Sequence, residues 1–535
     1  MPDLREFADA IHLSAERQMD KSHKQSPVSQ PSFYLSRWLF LRLLGLVYLI
    51  AFLSLWSQVH GLIGSRGILP VSVFLDTMHH HFGNDAYWRL PTLCWIDTSD
   101  RTLTMLCAAG TACSLFLLVG LAPTPSLVAL WMIYLSLSIA GQTFFQFQWD
   151  TLLLETGFFA IFYSPLLSIL PRLSKELPPS RLARWMLWWL LLKLMLLSGI
   201  TKLLSGDPTW QDLTAMNFHY ETQPIPNWVS WYAHQMPEWW QKTTVMMTLT
   251  AELLVPFFIF TPRLLRHIAT ILLVLFQVTI QVTGNFGFFN LLTGVLCITL
   301  LDDRALRRMI PQQWRDSLNI IPCNEHTVRH QEIILSPLLI TMLFISSLTF
   351  ISEIVRTPQD APLPSAVNSV LKFGKRYFLM WGRPYVLNYT APFRTINGYG
   401  LFRVMTTKRP EIVIEGSKDG ITWTEYEFRW KPGDLHRSPP VVAPHMPRLD
   451  WQMWFAAFNP RDHLYWLESL VQRLLENEPE VTRLLDDRQV AAPPPRFARL
   501  HFYLYEFTNQ VEMNRSGQWW RRTHHGWSRP LSLSP

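Results

Sequence analysis

Nine stretches of the chain run apolar for about the length a helix needs to cross a bilayer, roughly 20 residues. They fall at 38–58, 102–122, 126–144, 151–170, 185–203, 243–260, 267–283, 286–301 and 332–354. The divisions near 144–151 and 283–286 are thin, and each reads equally as a re-entrant turn. From residue 355 the pattern changes. "NGYGLFRVMTTKRPEIVIEGSKDGITWTEYEFRW" alternates apolar and polar positions, as half-buried strands do, with Asp419-Gly420 as a hairpin turn. A helical period follows in "DHLYWLESLVQRLLENEPEVTRLL", then a rigid break in "AAPPPRF" and another alternating run in "ARLHFYLYEFT". The tail "GQWWRRTHHGWSRPLSLSP" reads as frayed or surface-bound.

The pattern predicts a polytopic α-helical membrane protein of about nine spans with a C-terminal extracytoplasmic, β-sandwich-like domain. Its parts are a cytoplasmic segment 1–37, a membrane domain 38–354 with an outer loop 204–242, a linker 355–384 and a β-rich domain 385–535. The sandwich is expected over 385–445, with helical and strand additions after it.

Charge sets the orientation. With the N-terminus cytoplasmic, the inside segments hold 16 Lys and Arg and the outside loops hold Arg66, Arg89, Arg101 and Lys242. That is the positive-inside bias, and an odd span count then puts the C-terminal domain outside the cytoplasm. The same bias accounts for the net charge of +7, so nucleic acid is not expected as a partner. Only 16% of residues are charged, against about 25% in soluble chains. Five scattered cysteines without a CxxC exclude a disulfide framework. Residues 1–30 have no apolar core, so no cleavable signal is expected. The "NYT" at Asn388 is a glycosylation sequon in a eukaryotic secretory context.

Ionisable side chains inside the bilayer are costly and mark candidate sites. Here they are Arg42, Glu155, Lys193, Lys202 and Glu252, with Asp150 at a border, and Arg42, near a helix end, is expected to snorkel. Depth along the predicted spans pairs Glu155 with Lys202 and Lys193 with Glu252. Lys193–Glu252 reads as a structural ion pair. Lys202 is the candidate catalytic base. Asp150 is expected at the outer surface, in reach of water. The outer loop adds Trp210, Asp212, His219, Tyr220 and Glu221 as possible cavity residues, and "QVTGNFGFFN" adds Asn285 and Asn290. His79-His80-His81 lacks spaced partners for a metal, and no hydrolase, nucleotide or metalloprotease signature is present.

Several long motifs carry a resemblance. "FQWDTLLLETGFFAIFYSP", "GDPTWQDLTAMNFHYETQPIPNWVSWY", "RLDWQMWFAAF", "GLIGSRGILP", "AELLVPFF" and "GNFGFFNLLT" resemble lipase maturation factor proteins, in matching order from residue 38 to about 458. The resemblance implies a chaperone-like maturation factor with secreted client proteins, lipases among them, and an endoplasmic-reticulum membrane in eukaryotes. The sparse cysteines and the "RPLSLSP" end fit a bacterial inner-membrane member with a periplasmic β-domain. More weakly, "GITKLLSGDPTW" with "FQVTIQVTGNFGFFNLLT" is similar to the membrane part of vitamin K-dependent gamma-glutamyl carboxylase. That similarity implies an intramembrane enzyme with Lys202 as base. "EIVIEGSKDGITWTEYEF" is similar to a strand pair of discoidin-like sandwiches. A lipid or solute transporter ranks last, since inverted repeats are not detectable.

Overall fold

The computed structural model describes residues 31–165, 178–309, 325–356, 386–486 and 494–533, with isolated positions between them. Most of the expected linker 355–384, the first 30 residues and Cys323 lie outside that set.

Among the described residues, seven helices are long and apolar enough to cross a membrane. They are α1 (Tyr34–Trp56), α2 (Asp100–Val119), α3 (Pro123–Ala140), α5 (Arg181–Leu204), α6 (Glu238–Leu253, extended by a 3₁₀ turn to Phe260), α7 (Arg263–Thr283) and α9 (Glu325–Arg356, apolar from Glu332 to Val355). The remaining two predicted spans form shorter helices, α4 (Gln148–Tyr163) and α8 (Phe289–Ile298). Small residues let helices close: an added Cβ at Gly45 of α1 would sit 2.7 Å from the Leu118 nitrogen of α2. One end of the bundle is fastened by Asp303, whose carboxylate accepts from the Tyr34 and Leu35 amides at 3.0 and 2.8 Å. An anion there meets the unpaired N–H groups at the start of α1.

Among the described residues the C-terminal region holds one four-stranded antiparallel sheet, ordered β2 (Thr424–Tyr426), β1 (Arg409–Ser417), β3 (Phe497–Phe507), β4 (Trp520–Trp527). The expected hairpin at Asp419-Gly420 joins β1 to β2. Three expectations need correction. The strands make a single sheet rather than a sandwich over 385–445, and helices α10 (Arg448–Phe458) and α11 (Leu464–Leu475) supply the covering layer. The run at Phe402 and Val404 is turn and bend, not strand. The tail is not frayed: β4 pairs with β3 from Phe507–Trp520 to His501–Trp527. Its mixed polar sequence hid it, because an edge strand needs no apolar face on its open side.

Ile412, Ile414 and Leu500 face the core, which runs without interruption into the bundle. Phe147 stacks on Trp149 at 4.4 Å, and Trp149 meets Trp451 of α10 edge-on at 4.6 Å. Gly287, at φ +57°, brings the turn before α8 against the C-terminal domain, and a Cβ there would lie 2.5 Å from the Met446 sulfur. The sheet domain is therefore seated on the bundle by close packing.

Candidate functional site

Of the buried charges of the membrane domain, Asp150 and Glu155 reach the C-terminal domain, whereas Lys202 and Glu252 pair within the bundle. Asp150 and Glu155 lie on α4 five residues apart, so they point to different faces and differ in depth by about 7.5 Å. Each finds a different partner.

Asp150 is fully buried, not open to water as expected. Arg448, the first residue of α10, grips it with two bonds, Nη2 to Oδ1 at 2.7 Å and Nη1 to Oδ2 at 2.9 Å. The Tyr134 hydroxyl donates to Oδ1. Arg448 also donates to the Phe144 carbonyl at 2.8 Å and lies 3.6 Å over the Phe145 ring. A bidentate guanidinium–carboxylate pair with these extra bonds is the form in which buried charge is tolerable.

Glu155 pairs with Lys193 at 2.5 Å, not with Lys202. Its other oxygen accepts from the Tyr399 hydroxyl at 2.8 Å and the Asn397 amide at 2.9 Å. The Lys193 ammonium also donates to Ser346 of α9 at 3.0 Å. Lys202 pairs with Glu252, both carboxylate oxygens at 2.8 Å, and donates to the Ser198 carbonyl at 3.3 Å. The expected pairings are thus exchanged. Depth failed as a guide because helix ends do not share a plane. Glu252 is the fifteenth residue of α6, yet it meets the third-last residue of α5, so α6 rises beyond α5 by roughly 18 Å. The loop 204–237 fills that step: its Trp210 and Tyr220 pack together with Val245 of α6 and with Met405.

Lys202 has three ammonium protons and three acceptors. Acting as a base would require breaking its pair with Glu252. The loop residues are also mostly fastenings. Glu221 accepts the Phe507 amide at 3.1 Å, and its carbonyl accepts from Arg409 at 2.7 Å. Asn285 clips the C-terminal domain, accepting the Val442 amide at 2.8 Å and donating to the Pro440 carbonyl at 2.8 Å. Asn290 is buried and its amide has no partner among the described residues. Asp212 is exposed and stands apart. Sequence reasoning missed Arg448, Asn397, Tyr399 and Arg409. The only hint was a membrane carboxylate with no cation in its own vicinity.

His219 is buried against Phe286 and Phe402 and its Nδ1 has no partner. Burial, and then the nearby Lys202 ammonium, push its pKa down to about 4. Above the unfolded value of about 6.5 the neutral ring costs nothing. As pH falls from there toward 4 the unfolded chain takes up the proton first, so stability is lost over that window. The expected loss is about 3 kcal/mol. Melting of the detergent-solubilised protein between pH 7 and 4.5 checks this, and His219→Phe should flatten the slope.

An open groove of about 1220 Å³ lies between the helix Val71–Phe82, the end of α3 and the start of the C-terminal domain. Phe74, Met78 and Phe82 form an apolar side, Trp88, Tyr389 and Tyr465 are exposed in it, and Asp85, Arg89 and Arg394 add charge. His80 and His81 on that helix are exposed.

The fold and the anchors define a class: a helical membrane protein whose extramembrane domain is locked to the bundle through two buried carboxylates, Asp150 in an ion pair and Glu155 by hydrogen bonds. Residues 35–308 match the lipase maturation factor transmembrane domain and residues 395–530 the lipase maturation factor C-terminal domain. The chain belongs to the lipase maturation factor family. It is 35% identical to lipase maturation factor 2 of Xenopus tropicalis, covering 92% of this chain and 81% of that one. It is 34% identical to lipase maturation factor 1 of Mus musculus over 94% and 91%, and 35% identical to lipase maturation factor 1 of Homo sapiens over 94% and 88%. No solved structure matches the chain.

Proposed function

We propose that this protein is a membrane-embedded maturation factor for secreted proteins, with lipases as the client class that its relatives' names indicate. The observation that carries the reading is the match of both domains to one family along nearly the whole chain. The anchors support it, since a rigidly seated domain can hold a client at a fixed height above the bilayer. The groove beside Trp88 and Tyr465 is the surface we assign to an extended client segment, because its exposed rings and mixed charge suit a partly folded chain. An intramembrane base at Lys202 gains nothing from the three spent donors.

Nine crossings and an extracytoplasmic C-terminal domain belong to the same proposal. What supports nine is the course of α4, which runs antiparallel to α3 from the Tyr134–Asp150 contact to a 2.6 Å bond between Thr124 and Ser164. The α8 helix likewise leads from Gly287 beside Met446 to Ile298, whose carbonyl accepts from Ser36. The relatives are vertebrate, which favours an endoplasmic-reticulum membrane if the host is eukaryotic and leaves a bacterial inner membrane as the equivalent otherwise.

The test is co-expression with a secreted lipase. The specific activity of secreted lipase should rise several-fold with the protein present, and Trp88→Ala with Tyr465→Ala should lower it at unchanged protein level. An unchanged specific activity would overturn the reading. In eukaryotic cells the exposed Asn388 reports sidedness. A glycosidase-sensitive mass shift, absent in Asn388→Gln, is expected, whereas cytoplasmic exposure of this region would leave no shift.

A further inference from the structure

The open face of the C-terminal sheet carries an arrangement that client maturation does not use. Alternate residues of β3, Arg499, His501 and Tyr503, project opposite to the core-facing Ala498 and Leu500. Their strand neighbours on this face are Glu415 beside Arg499, Trp527 beside His501 and His524 beside Tyr503. The face is concave. Arg522 on β4 reaches Glu425 on β2, at the far edge of the sheet, at 2.7 Å, and passes 4.3 Å from the Tyr503 ring centre.

Two features point to a ligand. The first is a flat platform. Trp527 is 61% exposed and stacks with His524 at 5.0 Å, and the Arg499 guanidinium lies 4.1 Å from Trp423 and 5.8 Å from Trp527. The second is an unmatched polar atom beneath it. His501 is only 9% exposed, and its Nδ1 meets Glu415 at 3.1 Å and Tyr503 at 3.0 Å, while Nε2 has no partner. In the sheet β1 and β4 flank β3 on opposite sides. With Nδ1 turned to Glu415 on β1, Nε2 is turned toward His524 and Trp527 on β4, whose rings lie 4.6 and 5.7 Å away. A buried polar atom without a partner calls for one.

The charges choose the ligand class. Arg499 is matched by Glu415 and Arg522 by Glu425, so the face holds no surplus charge for an anion or a cation. It offers an exposed indole face rimmed by fixed planar donors and acceptors. That is the complement of a pyranose ring, with an apolar C–H face and a rim of hydroxyls. We propose that this face binds a neutral saccharide unit, its ring stacked on Trp527 and a hydroxyl bonded to His501 Nε2. The inference does not rest on the maturation reading, since binding is measured without a client.

The experiment uses the full chain in lipid nanodiscs, on an array of neutral oligosaccharides ending in mannose, glucose or galactose and by titration with the best of them. Saturable binding is expected, weakened at least tenfold by Trp527→Ala and by His501→Phe at unchanged melting temperature. Trp527→Ala removes an exposed ring and keeps the test valid if His501→Phe does not fold. Ribonuclease B and its unglycosylated counterpart separate the sources. Binding of the glycosylated form alone assigns the site to protein-linked glycans, and binding of free oligosaccharide alone assigns it to soluble sugars; both support the proposal. No binding on the array, binding confined to sulfated or sialylated glycans, or binding equally strong in both variants would overturn it.

Discussion

Replacing Arg448 with Met is expected to cost about 3–5 kcal/mol, the usual penalty for leaving a buried charge without its partner. Asp150 has no exposure to relieve it, and the two bonds from Arg448 neutralise its charge. The same substitution removes the donor to the Phe144 carbonyl and the cation above Phe145. A loss of that size is a large share of the stability of an ordinary domain. Proteolysis should therefore cut the exposed stretch around Val404 and Lys408 well below the melting temperature of the parent. The pairing has a sharper test. Asp150→Leu with Arg448→Met should recover much of the loss, because two apolar residues of similar size tolerate burial better than one orphaned ion. If the double variant is as unstable as the sum of the singles, the pair is not the anchor described here.

The second large effect concerns the exchanged pairs. Glu155→Gln and Lys193→Met should each destabilise by about 3 kcal/mol or more, with strong non-additivity between them. Glu155→Gln combined with Lys202→Met should instead be close to additive, since Lys202 belongs to Glu252. Melting midpoints of the three single variants and two doubles decide this. Coupling between Glu155 and Lys202 would restore the pairing that span depth suggests. Damage at Glu155 should also loosen the C-terminal domain, because its second oxygen holds Asn397 and Tyr399.

Much of the frame is legible in the linear pattern. Runs of apolar residues must be helical in a bilayer because every backbone polar group has to be satisfied within the segment. The seven membrane-length helices and the strands β1, β2 and β3 follow from period and length alone. The same reasoning marked Asp150, Glu155, Lys193, Lys202 and Glu252 as the residues that need partners. It could not say which partners. Pairing depends on how far each helix rises, and α6 rises past α5 for reasons of packing against the loop between them. It also could not see that two of the answers come from a domain about 250–300 residues further along, where Arg448 and Tyr399 look like ordinary surface-domain residues until the domain is seated. The β4 strand was hidden for a related reason. A chain segment with Arg, Thr and His on its open side becomes a strand only when β3 offers it an edge. Local composition determined which segments cross the membrane and which charges could not stand alone. Only the tertiary structure decided that Asp150 and Glu155 fasten one domain to the other while Lys202 and Glu252 hold each other within the bundle, because a buried ion takes whichever partner the packing brings within reach.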